Sequence, residues 1–238
     1  MLKGQPLTVI IPVRGGSKGI PRKNLYKFGK DSLLERSIKI ALLSNFVDKV
    51  FVSTDDNEMF GIASKYNVNT KNLRKKILSN DTASTIDVIK DVINEQDISK
   101  GFILLLQVTS ATRTLKNLEE FFINFNNADK IYDSSVSLVE LDSPHPDKVQ
   151  IIKKARVFSY LGKESMVPRQ SLSKVYKLNG AFYLSKISSF FENKSFFSEN
   201  TLPFIMNYLD SFNLDNLSDV YTLEALVEKG IITIKEYD

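Results

Sequence analysis

The first two thirds of the chain alternate between short apolar runs and longer stretches whose apolar residues recur at helical spacing. Strands separated by helices of about ten or more residues favour a mostly parallel α/β sheet with right-handed crossovers. The run FILLLQ is apolar throughout, which is typical of a central strand buried on both faces. We predict strands at 7–13, 49–54 and 102–107, and helices at 32–44, 57–66, 82–95 and 115–125.

Residues 132–178 depart from this alternation. Short β-like pieces follow one another there without obvious helices, at 136–141, 149–153 and 155–160, and a strand returns at 179–185. We interpret 132–178 as an inserted β-rich arm and the remainder as a return to the main sheet.

The most unusual segment directly follows the first strand. It contains three glycines and four cationic side chains, which are Arg14, Lys18, Arg22 and Lys23. A polyphosphate needs bare backbone N–H groups and clustered positive charge of this kind. The segment matches neither Gly-x-x-x-x-Gly-Lys-Ser/Thr nor Gly-x-Gly-x-x-Gly, so a P-loop hydrolase and an NAD-type site are not indicated. Because ligands bind at the carboxyl ends of parallel strands, we place the site there.

Composition narrows the possible chemistry. The 238 residues suffice for one sizeable core, so we predict a single domain over 1–238. The lack of cysteine excludes disulfides, thiolate metal sites and a cysteine nucleophile. The single histidine, His145, lies in a turn-like Asp-Ser-Pro-His-Pro stretch and is interpreted as an exposed loop residue. The net charge of +4 suits anionic small molecules, and without a long basic stripe we expect no nucleic-acid binding.

Hydropathy gives no sign of a membrane protein. No apolar stretch approaches the ~18 residues that a membrane span needs. The opening Met1–Pro6 lacks the layout of a signal peptide. We therefore expect a cytoplasmic protein with no membrane partner.

Five motifs occur in order along almost the whole chain. They are IIPVRGGSKGIPRKN at 10–24, VSTDD at 52–56, LR at 73–74 with DTAST at 81–85, LQVTSATR at 106–113, and PRQ at 168–170 with NGAFY at 179–183. Their order and spacing resemble those of the acylneuraminate cytidylyltransferases, also called CMP-sialic acid synthetases. The resemblance implies a Rossmann-like nucleotidyltransferase sheet, with 132–178 as a dimerisation arm.

The resemblance also implies the reaction. Such enzymes join CTP to a nine-carbon 2-keto sugar acid, a nonulosonic acid, and release pyrophosphate with Mg²⁺, for which Mn²⁺ can substitute. The anomeric hydroxyl would attack the α-phosphorus in line, with positioning and charge neutralisation supplying most of the catalysis. Two alternatives stay open: activation of legionaminic acid, pseudaminic acid or KDO, and a CTP-binding homologue that has lost turnover.

Candidate site residues follow from the same resemblance. Arg14 and Lys23 would hold the triphosphate and stabilise the leaving pyrophosphate, and with Asp215 they form the predicted catalytic set. Nucleotide contacts are predicted for Arg14, Gly15, Gly16, Ser17, Lys18, Gly19, Lys23, Asn24, Arg74, Ala83, Ser84 and Thr85. Contacts with the sugar acid are predicted for Gln107, Thr109, Ser110, Lys148, Arg169, Gln170 and Asn179. An arginine suits a carboxylate because its fork binds both oxygens.

The predicted metal site departs from the family pattern. An SVDID-like segment, whose two aspartates hold the metal, reads Ser-Phe-Asn-Leu-Asp here. We predict Asp215 as the charged ligand and Asn213 as a neutral oxygen donor that weakens the affinity. The alternative for Asp215 is a cap on the following helix. Val108 and Ala111 replace two prolines of the family, which leaves the identity of the sugar acid open.

Two further expectations concern a helix and the arm. We interpret Asp55 and Asp56 as caps of the helix at 57–66 rather than as ligands. By resemblance, the arm would reach a second copy of the chain and contribute to its sugar site. A homodimer is therefore expected.

Overall fold

The computed structural model describes residues 1–16, 19–162 and 166–234, and a six-stranded sheet forms its centre. In chain order the strands are β1 (Leu7–Pro12), β2 (Lys27–Phe28), β3 (Asp31–Ser32), β4 (Lys49–Ser53), β5 (Phe102–Leu105), β6 (Ser134–Glu140), β7 (Gln150–Lys153), β8 (Arg156–Ser159), β9 (Tyr176–Lys186) and β10 (Thr201–Met206). The helices are α1 (Leu33–Leu43), α2 (Asn57–Lys65), α3 (Thr85–Glu95), α4 (Leu115–Asn127), α5 (Ile187–Asn193) and α6 (Leu217–Glu228).

The central sheet has the order β10-β6-β9-β5-β1-β4. β1 pairs in parallel with β4 and β5, and β10 pairs in parallel with β6. β9 runs antiparallel to both of its neighbours, β5 and β6, and joins the two parallel groups. The prediction of a mostly parallel α/β sheet is therefore confirmed.

Alternating side chains of the central strands feed two cores, one on each face of the sheet. On β5, Phe102 and Leu104 pack in a cluster with α1 and α4, while Ile103 and Leu105 pack with α3 and α5. Phe121 of α4 stacks on Phe182 of β9 with ring centroids 5.0 Å apart. The burial of this strand on both faces confirms the interpretation of its apolar run.

Local hydrogen bonds set where two helices begin. α3 starts at Thr85, three residues after the predicted start, because the Ser84 side chain accepts the N–H of Ile86 and caps the helix. Asp56 caps α2 through bonds from two backbone N–H groups, as predicted. Asp55 does not cap that helix, so this half of the prediction is wrong.

The arm leaves the sheet between β6 and β9, which are hydrogen-bonded neighbours. Because both strands belong to the central sheet, the part that departs from it runs from 141 to 175, shorter than the predicted 132–178. β7 and β8 form a separate antiparallel hairpin within this part.

His145 is buried at the base of the arm, which corrects its interpretation as an exposed loop residue. Its Nε2 donates to the carbonyl of Ser173 at 3.0 Å, and its Nδ1 accepts the N–H of Asp147. The imidazole therefore ties together the two chain segments that enter and leave the arm.

Across the described ranges, none of the helices combines the length and apolar character that crossing a membrane requires.

Candidate functional site

A cleft of about 530 Å³ opens at the carboxyl edge of the parallel strands. Its walls come from the loop after β1, the segment before α3, the loop after β5 and the residue preceding the α6 cap. Eleven of the predicted site residues line it: Arg14, Gly16, Gly19, Lys23, Asn24, Arg74, Ala83, Thr85, Gln107, Thr109 and Asp215. The topology thus brings together motifs that lie far apart in sequence.

A larger cavity, of about 660 Å³, lies beside α4 and β10. It contains none of the predicted site residues, and its walls include the rings of Phe28 and Phe204. We therefore base the candidate site on the cleft, whose lining combines cationic side chains with glycine backbone.

The loop after β1 is held in place by the residues that follow β4. The N–H of Gly15 donates to Asp55 at 3.0 Å, and Arg22 pairs with Asp56 at 2.7 Å and with Glu58. Asn24 donates from its side chain to the carbonyl of Arg14 at 3.0 Å. Asp55 therefore anchors the glycine loop, a role that the sequence interpretation missed.

Both predicted phosphate-binding cations of the cleft have acidic neighbours. Arg14 lies 2.9 Å from Asp81, and Lys23 lies 3.1 Å from Asp215. The Lys23 side chain is 17% exposed, whereas that of Asp215 is 67% exposed at the rim. A polyanion entering the cleft would compete with these carboxylates for the two cations. Asp81 lies within the DTAST motif, which is the signal that could have identified it.

Arg74 braces the carboxyl ends of two strands. Its guanidinium donates to the carbonyl of Val13 at 2.6 Å and to that of Ser53 at 3.4 Å. Burial lowers the pKa of Arg74, and Asp55, 3.7 Å away, opposes that shift. Since most of its donors are occupied by the protein, Arg74 shapes the cleft as well as lining it.

At the predicted sugar end, only part of the residue set faces the cleft. Gln107 and Thr109 line it, whereas Ser110 is buried, with an Oγ that has no hydrogen-bond partner in the described part of the chain. Ser110 thus lies beneath the cleft wall in this structure, and its contact with the sugar acid stays a prediction.

The side chain of Asn179 is also buried and forms its hydrogen bonds inside the protein. Its Oδ1 accepts from Ser137 at 2.5 Å and from the N–H of Ala181 at 3.2 Å, and its Nδ2 donates to Ser211 at 2.9 Å. In this structure the Asn179 carboxamide thus binds other parts of the chain, and its contact with the sugar acid stays a prediction.

The remaining predicted residues fall outside the cleft wall. Gly15 and Ser84 serve the loop anchor and the α3 cap, and neither the arm residue Lys148 nor Gln170 is among the described residues that line the cleft. Lys148 instead donates to the carbonyl of Val167 at 3.0 Å. Three predictions lie outside what the structure describes: Ser17, Lys18 and the side chain of Arg169.

The candidate metal residues occupy different positions. Asp215 does not cap α6, because Asn216 and Asp219 form that capping box, so the alternative interpretation is wrong. Asn213 donates from Nδ2 to the carbonyl of Asn179 at 2.9 Å, and its buried Oδ1 has no partner among the described residues. Within the same ranges, no group of three or more acidic or histidine side chains could hold a metal ion.

The mostly parallel sheet, with a cationic, glycine-lined cleft at its carboxyl edge, defines a Rossmann-like α/β protein of the nucleotidyltransferase type. The family model described as "Cytidylyltransferase" matches residues 8–233. The chain belongs to this cytidylyltransferase family.

Curated relatives carry several substrate names. The chain is 31% identical over 213 residues to an N-acylneuraminate cytidylyltransferase of Streptococcus agalactiae, covering 88% of this chain and 50% of that protein. The chain thus spans about half the length of that relative. It is 29% identical to a CMP-N,N'-diacetyllegionaminic acid synthase of Legionella pneumophila, covering 93% and 96%. It is 28% identical to a pseudaminic acid cytidylyltransferase of Campylobacter jejuni, covering 89% and 91%.

Solved structures share the fold at low sequence identity. A CMP:2-keto-3-deoxy-manno-octonic acid synthetase complexed with CTP has a TM-score of 0.66 at 15% identity, covering 94% of this chain and 99% of the other. A 4-diphosphocytidyl-2C-methyl-D-erythritol synthase has a TM-score of 0.62 at 12% identity, with the same coverage. The likeness establishes the architecture of the sheet.

Proposed function

We propose that this chain is a CTP-dependent cytidylyltransferase that activates a nonulosonic acid and releases pyrophosphate. One observation carries the proposal: Lys23, in the glycine loop, and Asp215, 192 positions further along, meet at 3.1 Å in one cleft. Family membership and relatives named for three different nonulosonic acids support it. We propose a sialic-acid-like substrate, with legionaminic or pseudaminic acid or KDO as the alternatives.

The cations of the cleft would act on the triphosphate. Arg14 and Lys23 would bind its oxygens and neutralise the charge that develops on the leaving pyrophosphate. The backbone of Gly16 and Gly19 lines the same wall and lets the chain approach the phosphates closely. Because Asp55 and Asn24 fix this loop in advance, little reorganisation is needed at the moment of reaction.

The donor set fits Mg²⁺, which prefers hard oxygens and is commonly held by one or two carboxylates together with substrate phosphates. Asp215 offers one exposed carboxylate at the rim, beside the proposed triphosphate position. Asn213, two residues earlier, does not line the cleft, and its Oδ1 is buried without a partner among the described residues. Asp215 is therefore the accessible donor, and a role for Asn213 would require its carboxamide to turn towards the cleft. Bound there, the ion would withdraw charge from the triphosphate and favour departure of pyrophosphate.

Gln107 and Thr109, in the loop after β5, would form the end of the cleft that receives the sugar acid, here called the acceptor end. Their amide and hydroxyl groups suit the hydroxyls of a sugar acid. The hydroxyl that attacks the α-phosphorus must be held in line with the leaving group, and this wall would hold it.

We also propose that the chain forms a homodimer through its arm. The arm exposes large apolar side chains, which are Ile152, Val157, Phe158, Tyr160, Leu161 and Met166, the last 89% exposed. Clustered exposed apolar side chains are typical of interaction surfaces. Lys148 and Gln170 sit on the arm and do not line the chain's own cleft, so we propose that they serve the site of the partner subunit. Val157→Glu should then yield particles of one-chain mass in sedimentation, whereas a single-chain mass for the unaltered protein would contradict the dimer.

Pyrophosphate release tests the reaction directly. We would supply CTP, or ATP, GTP and UTP in turn, with a panel of nonulosonic acids and KDO, in the presence of Mg²⁺ or Mn²⁺. The proposal expects release with CTP and at least one acid. CTP binding without release under any condition would instead favour the homologue that has lost turnover.

A matched pair of variants locates the chemistry. Lys23→Met removes the cleft ammonium and should reduce turnover by about a hundredfold or more. Lys75→Met removes an exposed ammonium that pairs with Asp91 outside the cleft, and should leave turnover within about twofold. Equal losses in both variants would argue against the proposed phosphate site.

A further inference from the structure

Arg113 is a buried cation that the proposed reaction does not use. The residue is 1% exposed, and its side-chain hydrogen bonds go to neutral acceptors: the carbonyls of Gln107 and Ala181, each at 3.0 Å, and the hydroxyl of Ser37 at 2.7 Å. No carboxylate pairs with it within the described ranges, and its Nε has no partner there. Burial, with Arg36 nearby, lowers the pKa of Arg113 to about 9.

Such a cation is costly for stability. A buried charge without a counter-ion loses hydration that neutral acceptors only partly replace. An apolar side chain of similar size would avoid this penalty. The benefit of Arg113 therefore lies in the chain segments that it holds.

Two of those segments meet at the acceptor end of the cleft. Arg113 binds the backbone of Gln107 and the backbone of Ala181, the residue after Gly180. Gly180 has a φ of +74°, and a Cβ placed on it would lie 2.5 Å from Oε1 of Gln107. The carboxamide of Gln107 is thus packed directly against the backbone of Gly180, and one guanidinium fixes both sides of that contact.

The third contact anchors the guanidinium to a helix. Ser37 accepts from Nη2 of Arg113 and donates to the carbonyl of Leu33, four residues earlier in α1. The planar fork of arginine therefore spans α1, the loop after β5 and β9. A lysine ammonium lacks this fixed geometry and could not hold all three acceptors in the same arrangement.

We propose that Arg113 is a positioning residue that sets the Gln107 carboxamide at the acceptor end of the cleft and so controls the fit of the sugar acid. The inference rests on the proposed function, because it assigns Gln107 to the acceptor. A positioning role would change the KM for the acid and leave the KM for CTP unchanged, whereas a general stabilising role would not separate the two values.

The substitution Arg113→Lys tests whether the two KM values change separately. We expect the KM for the acid to rise about tenfold or more, while the KM for CTP stays within about twofold. An equal change in both values, or none in either, would overturn the proposal. If the unaltered protein turned over no acid with CTP, the proposed function itself would fail and this inference with it.

A double-mutant cycle measures whether Arg113 and Gln107 act on the KM for the acid together, which a purely structural role of Arg113 would not require. If Arg113 acts through Gln107, then Arg113→Lys should change the KM for the acid by less than about twofold in a Gln107→Ala background. Additive effects of the two substitutions would contradict the inference. Should Arg113→Lys fail to fold, Ser37→Ala loosens the same guanidinium, and an unchanged KM for the acid in that variant would overturn the proposal.

Discussion

The Nζ atom of Lys23 lies 3.1 Å from Oδ1 of Asp215, which joins the loop after β1 to the segment before α6. The ammonium is mostly buried and the carboxylate mostly exposed, so the pair stands at the boundary between protein and cleft. Binding of a triphosphate to Lys23 would leave the Asp215 carboxylate to accept a metal ion. The pair would therefore couple binding of the triphosphate at Lys23 to binding of the metal ion at Asp215.

Asp215→Ala should abolish turnover while CTP binding stays measurable, because the carboxylate proposed to bind the metal is lost and the cations remain. Pyrophosphate release and calorimetric CTP binding check the two halves. Asp210→Asn is a matched control, since that carboxylate accepts from Asn117 and Asn207 outside the cleft and an amide oxygen can replace it. Unchanged rates in Asp215→Ala would count against the metal assignment.

Asn213→Asp should strengthen Mg²⁺ binding and weaken the fold. The new carboxylate adds charge beside Asp215, but it cannot donate to the Asn179 carbonyl as the present Nδ2 does. Losing that bond should cost about 1–3 kcal/mol. We expect a lower midpoint of thermal unfolding, together with half-maximal turnover at a lower Mg²⁺ concentration. An unaltered Mg²⁺ dependence would speak against a role for this position.

Gly19→Ala should destabilise the protein by about 2 kcal/mol or more, since a Cβ there would overlap the backbone oxygen of Asp215. Gly16→Ala is the control in the same loop, because no atom of the described residues, its own chain neighbours aside, lies within 4 Å of the Cβ that it adds. That substitution should leave stability unchanged or raise it by about 0.5 kcal/mol. Denaturant unfolding of both variants makes the comparison, and equal stabilities would contradict the packing of the loop on Asp215.

Asp56 should make stability depend on pH at the acidic end. Partial burial acts to raise its pKa, but hydrogen bonds from the Met59 N–H and from Arg22 outweigh burial and hold the pKa below 3.8. A pKa lowered on folding adds stability above 3.8 that is lost as the pH falls through the folded-state value.

Asp56→Asn isolates this charge, because asparagine caps helices about as well as aspartate. We expect the variant to be less stable than the unaltered protein at neutral pH, with a difference that shrinks in acid. Unfolding curves at a series of pH values measure it. A difference that is the same at every pH would mean that the charge of Asp56 is not responsible.

The sequence predicted the parts of the fold that repeat a simple pattern. The apolar runs at β1, β4 and β5 and the helical spacing around α1 and α4 depend on nearby residues, so they could be identified locally. α3 starts at Thr85 rather than at 82 because the hydroxyl of Ser84 caps the helix there, a bond that the spacing of apolar residues does not reveal.

Polar residues were harder to assign, because their partners are distant in sequence. Asn179 resembled a ligand contact, yet its acceptors and donors lie on Ser137 and Ser211. His145 donates to the carbonyl of Ser173, 28 positions later, on the segment that leaves the arm. A motif indicates that such a residue matters, whereas only the fold shows whether it faces a ligand or the interior.

The arm enters from β6 and returns into β9, and these two strands are immediate neighbours, with the Leu141 N–H bonded to the Val175 carbonyl where they part. Because the arm leaves and rejoins the sheet at one point, its length does not affect how the strands pair. Evolution, or a protein engineer, could therefore lengthen, shorten or exchange this module while the sheet below it stays intact. Such freedom would let related chains diverge in how they recognise their partners.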